Sequence, residues 1–187
     1  LVGSIFAYNK IPTIKFSEVI AGLVCGFVLF AGYAFQNYGL MQTTPSKSAF
    51  ITSVSVIMVP VILFLFRINK VETKVWMSTF LAVIGLYILL DPTGEGLNMG
   101  DILTFGCAFS FAIHVIFQDK YLSDGVDVVN FFLTQMIFIT VFSFCAALLF
   151  EGVEFHLTDR LCLAVIITGI LATFISFLLM IWSQTVL

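Results

Sequence analysis

"VIAGLVCGFVLFAGYAFQNYGLMQTTPSKSAFITSVSVIMVPVILFLF", residues 19–66, holds a single charged side chain, Lys47. About 20 mostly apolar residues cross the hydrocarbon core of a bilayer as a helix, so this stretch is long enough for two crossings with a turn between them. The turn is visible as "QTTPSK", residues 42–47. Thr44 suits an N-cap, its side-chain oxygen accepting a backbone N–H of the first turn. Pro45 suits the first helical position, where a missing N–H costs nothing. Pro60 removes one backbone hydrogen bond from the second helix and predicts a kink there.

The same reading extends along the chain. Asp, Glu, Lys and Arg are absent from 19–46, 48–66, 75–90, 102–118, 128–150 and 161–187. Six helical spans account for most of the sequence; the short run at 75–90 has Lys74, Trp76 and Asp91 to mark its interfacial ends. These runs are too long and too continuously apolar for the alternating segments of about ten residues in a β-barrel. Only 10% of the 187 residues are charged and the mean hydropathy is +1.12, whereas a soluble domain carries about 25% charged residues. The fold class is an all-α polytopic membrane protein. Residues 1–8, "LVGSIFAY", read as the tail of an earlier span, and the final "FLLMIWSQTVL" stops without a closing loop. The chain is therefore expected to be an internal fragment of a longer protein.

Charge sets the orientation. Connections 9–18, 67–74 and 119–127 carry Lys10, Lys15, Arg67, Lys70, Lys74 and Lys120, while 42–47, 91–101 and 151–160 carry only Lys47 and Arg160. Positive residues stay cytoplasmic, which turns "QTTPSK" outward. A formal net charge of −3 argues against a nucleic-acid partner. Cys25, Cys107, Cys145 and Cys162 have no metal-ligand spacing and read as small apolar packing residues. No cofactor or metal is expected.

Residues 22–40 and 169–187 share Gly22/Gly169, Phe27/Phe174, Phe30/Phe177 and Leu40/Leu187. They lie five spans apart and so cross in opposite directions, the plan of inverted-repeat transporters with a site at the repeat interface.

Several spans have polar faces. Ser48, Thr52 and Ser55 share one face, as do Ser110, His114 and Gln118. Gln36, Asn37 and Tyr38 end one span, and Trp182, Ser183 and Gln184 close the last. The hydroxyls serve either as interhelical glue or as the lining of a solute path. An ionisable group within the membrane is expensive, so His114 is either a site residue or a buried hydrogen-bond partner. Lys47 either attracts an anion beside a helix N-terminus or snorkels to the interface. The GxxxG of Gly22 and Gly26 and the Gly106/Ser110 pair predict close helix packing. No span, so delimited, contains a carboxylate. There is no HExxH, GxSxG or paired acid within a span, and Asp91, Glu95 and His156 read as solvated loop residues, so no enzyme is expected.

The run "AFQNYGLMQTTPSKSAFITSVSVIMVPVILFLFRINKVETKVWMSTFLAVIGLYILL" (34–90), followed by "MGDILTFGCAFSFAIHVIFQDKY" (99–121), resembles the EamA-type drug/metabolite transporter superfamily. Asn69 and Ser78 depart from the family pattern at one helix end. The resemblance implies an inverted-repeat bundle of ten helices, of which this chain covers about the end of helix 2 to helix 8. Residues 1–90 would belong to the first repeat and 91–187 to the second. It also implies a carrier of small organic solutes (metabolites, amino acids or drugs), commonly an exporter, working by alternating access in the cytoplasmic membrane. The expected substrate-binding set is Tyr33, Gln36, Asn37, Lys47, Ser48, Thr52, Ser55, His114, Gln118 and Trp182. The partners would be a small-molecule substrate and the lipid bilayer, with a homodimer left open. A lipid flippase, or a membrane-embedded enzyme or scaffold, is the alternative.

Overall fold

The computed structural model describes residues 14–67, 72–90, 97–150, 158–176, 179, 180 and 183. Among these the regular structure is entirely helical. The helices are α1 (Phe16–Leu40), α2 (Pro45–Ser53), α3 (Ser55–Leu65), α4 (Thr73–Leu90), α5 (Met99–Ser123), α6 (Val128–Phe150) and α7 (Asp159–Ile166), with a π-helical stretch over Ile167–Ile175. Phe16–Leu40, Pro45–Leu65, Met99–Ser123 and Val128–Phe150 are long and apolar enough to cross a membrane, and Thr73–Gly85 is a shorter apolar helix. The protein is an all-α polytopic membrane protein.

The helix ends follow local chemistry. Thr44 caps α2, its Oγ1 accepting from Lys47 N at 3.3 Å, with Pro45 at the first helical position. Asn98 caps α5 reciprocally with Asp101: Asp101 N donates to Asn98 Oδ1 at 2.9 Å, and Asn98 N donates to Asp101 Oδ2 at 3.0 Å. Asp127 Oδ1 accepts from Val129 N and Asn130 N and starts α6. Before it, α5 ends on Gly125 at φ +84°, a left-handed conformation that glycine adopts without strain. Val126 N then donates to Tyr121 O at 3.2 Å, closing a Schellman-type turn.

The interruption between α2 and α3 falls at Val54, about one and a half turns before Pro60. There the ladder tightens: Val54 N donates to Ile51 O at 3.1 Å and Ile57 N to Val54 O at 2.9 Å. The side chain just before the break supplies a reason. Ser53 Oγ donates to Ala49 O at 2.7 Å, and such back-bonding bends helices. Pro60, for its part, offers no N–H to the Val56 carbonyl four residues back.

The chain forms two compact units, residues 28–117 and residues 1–27 with 118–187. In the first, the C-terminal end of α1 meets the N-terminal end of α5 almost backbone to backbone. A Cβ on Gly100 would stand 2.6 Å from Gly39 O and 2.8 Å from Thr43 N, and one on Gly39 would stand 2.6 Å from Thr104 Oγ1. Further along, Tyr33 meets Phe111 edge-on at 5.6 Å between ring centroids. Phe64 meets Trp76 edge-on at 6.0 Å, joining α3 to α4. A Cβ on Gly106 would meet the Phe35 ring at 3.4 Å, an ordinary contact, and one on Gly32 would stand 3.4 Å from Ser110 Cβ and 2.5 Å from the Phe111 ring, so α1 and α5 pack closely here too.

In the second unit, α1 presents Ala21, Gly22, Cys25 and Gly26 as a buried strip of small residues. A Cβ on Gly22 would overlap the Thr134 side chain and stand 2.9 Å from Gln135 N. One on Gly26 would stand 3.0 Å from Phe138 Cβ and 3.1 Å from Gln135 O. The GxxxG therefore admits α6 against α1, as small-residue spacing does in membrane helices. Phe27 and Phe138 each pack on Phe142, continuing the contact.

Candidate functional site

Within residues 28–117, α3, α4 and α5 line an open-sided cavity of about 660 Å³. Pockets that hold small molecules run from about 300 to 1,000 Å³. Helix α3 contributes Ser55, Val59 and Pro60, and α5 contributes Phe111, Ala112 and Val115. From α4 come Lys74, Ser78, Thr79 and Ala82. The walls are thus largely aliphatic and aromatic, with three hydroxyls and one ammonium group. Ser78 Oγ donates to Lys74 O at 2.9 Å and follows its own helix. Thr79 is buried, whereas Lys74 is exposed at the α3–α4 end.

Of the residues singled out from the sequence, Ser55 lines this cavity. Tyr33 stands behind it, against the Phe111 ring. His114 and Gln118 are buried, 2% and 0% exposed, on a face of α5 adjacent to the one that carries Phe111, Ala112 and Val115. Ser48 is buried and its hydroxyl has no hydrogen-bond partner among the described residues. Thr52 lies beside the Cys107 thiol. Gln36 is half-buried and Asn37 exposed. Trp182 lies outside the described residues.

Lys47 belongs to a second assembly, at the α1–α2 corner. Its Nζ is 3.5 Å from Asp101 Oδ2, and Thr43 Oγ1 donates to Asp101 Oδ1. Asp101 is 2% exposed. The carboxylate therefore gathers three donors, from Thr43, Asn98 and Lys47, and ties the corner to the first turn of α5. A separate carboxylate does similar work at the other end of α1. Glu18 is also 2% exposed, and its Oε2 accepts from Lys15 N at 2.8 Å and from Asn130 Nδ2 at 2.9 Å. Thr134 Oγ1 adds a bond to Glu18 O at 3.1 Å.

Both carboxylates read as loop residues in the sequence, and both occupy the first turn of a helix. Asn98-x-x-Asp101 is a legible capping box, but its side-chain reach to Thr43 and Lys47 is not. In the sequence Lys74 reads as an interfacial marker and Ser78 as a departure from the family pattern, while Thr79 carries no signal of its own; only the structure brings the three to one cavity wall. Among the described residues no cluster of His, Cys, Asp or Glu could hold a metal ion.

Apolar spans with buried polar anchors at their helix ends define a polytopic membrane protein. The chain belongs to the EamA-like transporter family, whose model matches residues 1–91 and 98–187. An uncharacterized transporter of Archaeoglobus fulgidus is 30% identical over 192 aligned positions, covering 96% of this chain and 60% of that protein. S-adenosylmethionine uptake transporters of Rickettsia bellii and Rickettsia felis are each 30% identical, over 61% and 65% of this chain and 39% and 41% of their own. The chain thus spans three fifths or less of the length of these relatives. No solved structure matches it.

Proposed function

We propose that the chain forms part of a carrier that moves small organic solutes across the cytoplasmic membrane by alternating access. The observation that carries this reading is the cavity of about 660 Å³ between α3, α4 and α5, in a chain of the EamA-like transporter family. Its apolar walls accept a hydrocarbon or aromatic body, and the hydroxyls of Ser55 and Thr79 supply directional contacts. The two separate family matches support placing residues 1–90 in one repeat and 91–187 in the next. The lysine and arginine bias supports a cytoplasmic location for the α3–α4 and α5–α6 connections. The names of the Rickettsia relatives favour a metabolite as cargo over a lipid and make uptake a direction to test beside export.

The test is transport by the full-length protein in proteoliposomes, measured in both directions with a metabolite panel. Ala82→Trp fills the cavity and is expected to lower transport of an accepted solute at least tenfold, with Ser55→Ala intermediate. Full transport by Ala82→Trp would remove the cavity from the solute path.

A further inference from the structure

We propose that the cavity selects amphipathic organic anions, with the apolar body against Val59, Phe111 and Val115 and the carboxylate or phosphate at Lys74. This inference rests on the carrier reading and names its substrate class. Among the described residues Lys74 is the one charged side chain in the cavity wall, and no carboxylate lines it. The one ion pair among the described residues is Lys47–Asp101, so the Lys74 ammonium has no internal counter-ion there. Lys74 also sits in the first turn of the 18-residue helix α4, where the helix dipole adds to the positive potential.

The geometry separates head from body. Ser55 opens α3, and Lys74 lies beyond its far end, after the α3–α4 turn. The lining residues of α4 run from Lys74 to Ala82, a helix rise of roughly 12 Å, so the ammonium stands at one end of a mostly apolar wall. A cation would meet Lys74 with like charge. A neutral polar solute would find aliphatic walls along most of its length, where unpaired polar groups are costly. An anion with an apolar body satisfies both the ammonium and the wall. A bilayer lipid shares this chemistry, and the experiment separates it from a free solute.

The probes are 4-phenylbutyrate, its neutral amide and the matching 4-phenylbutylamine. Binding is measured by calorimetry on the full-length protein in nanodiscs of zwitterionic lipid. The butyrate is expected to bind at least tenfold more tightly than the amide, and the amine most weakly. Lys74→Gln should bring the butyrate down to the amide's affinity, while Lys74→Arg should restore the preference. Equal affinities in the wild type, or a preference that survives Lys74→Gln, would overturn the charge assignment and leave the carrier reading intact. Absence of binding by all three probes, with Ala82→Trp still transporting solutes normally, would overturn the cavity reading and the inference with it. Repeating the titration in nanodiscs containing anionic lipid should leave the butyrate preference in place. Its loss in the wild type would assign the site to a lipid headgroup and refute a free solute.

Discussion

Removing the carboxylate of Asp101 should destabilise the protein far more than removing the charge of Lys47, although the two form one ion pair. Asp101→Ala removes the acceptor of the Thr43 hydroxyl and the Asn98 N–H together with the anion beside the Lys47 ammonium. Each buried donor left unsatisfied costs about 1–3 kcal/mol. Thr43 is half-buried and can turn, and the Lys47 side chain is 18% exposed and can reach solvent. The sum therefore comes to about 3 kcal/mol, the low end of the range for breaking a buried pair from one side. Lys47→Met leaves the carboxylate two donors and removes an interaction at 3.5 Å, for about 1 kcal/mol. Thermal unfolding of the purified full-length protein reads the difference. Since the Tm shift scales with the free-energy loss, Asp101→Ala should lower Tm about three times as far as Lys47→Met. Equal losses for the two variants would refute the view that the carboxylate organises the corner.

Three further outcomes follow from the geometry. Gly22→Ala places a methyl group on Thr134 and the Gln135 backbone and should cost about 1–3 kcal/mol by overpacking; Gly85→Ala meets nothing within 4 Å and should gain about 0.5–1 kcal/mol from helix propensity, both read as Tm shifts. Glu18→Ala loses the acceptor of two hydrogen bonds and should cost about 2–3 kcal/mol, while Glu18→Gln keeps an acceptor oxygen and should cost under about 1 kcal/mol; equal losses would show that the charge itself matters. In a cysteine-free background, a membrane-impermeant maleimide should label Gln42→Cys from outside intact cells and Asp124→Cys only after permeabilisation; the reverse pattern would invert the proposed topology.

Much of the fold was legible because its cause lies in the chain itself. Uncharged runs of sufficient length specify spans, and Thr44-Pro45 specifies a helix start at any corner. Gly22 and Gly26 specify a close crossing, since few other residues leave room for the Thr134 side chain. The polar anchors are less legible because a charge at the edge of an uncharged run does not reveal its helical position. Glu18 and Asp101 lie at the edges of the uncharged runs, where they read as parts of the connections. In each case the helix begins two residues earlier, which brings the carboxylate into the first turn and under a neighbour. A one-dimensional reading finds the cap, but the residue fifty-eight positions away that completes it, Thr43 for Asp101, depends on how α1 crosses α5.

The hydroxyl stripe shows why the candidate site was only partly legible. Spacings of four and three put Ser48, Thr52 and Ser55 on one face of an unbroken helix, and from that premise all three line one path. The helix is broken at Val54, between Thr52 and Ser55. Ser48 is buried on the α2 side of the break, and Ser55, on the α3 side, opens into the cavity. Ser53 bonded back to Ala49 marks where the ladder yields. Pro60 leaves the Val56 carbonyl without its usual donor, and both residues line the cavity. Of the three hydroxyls, Ser48 is the buried one, and Ser55, beyond the tightened turn at Val54, is the one that lines the cavity.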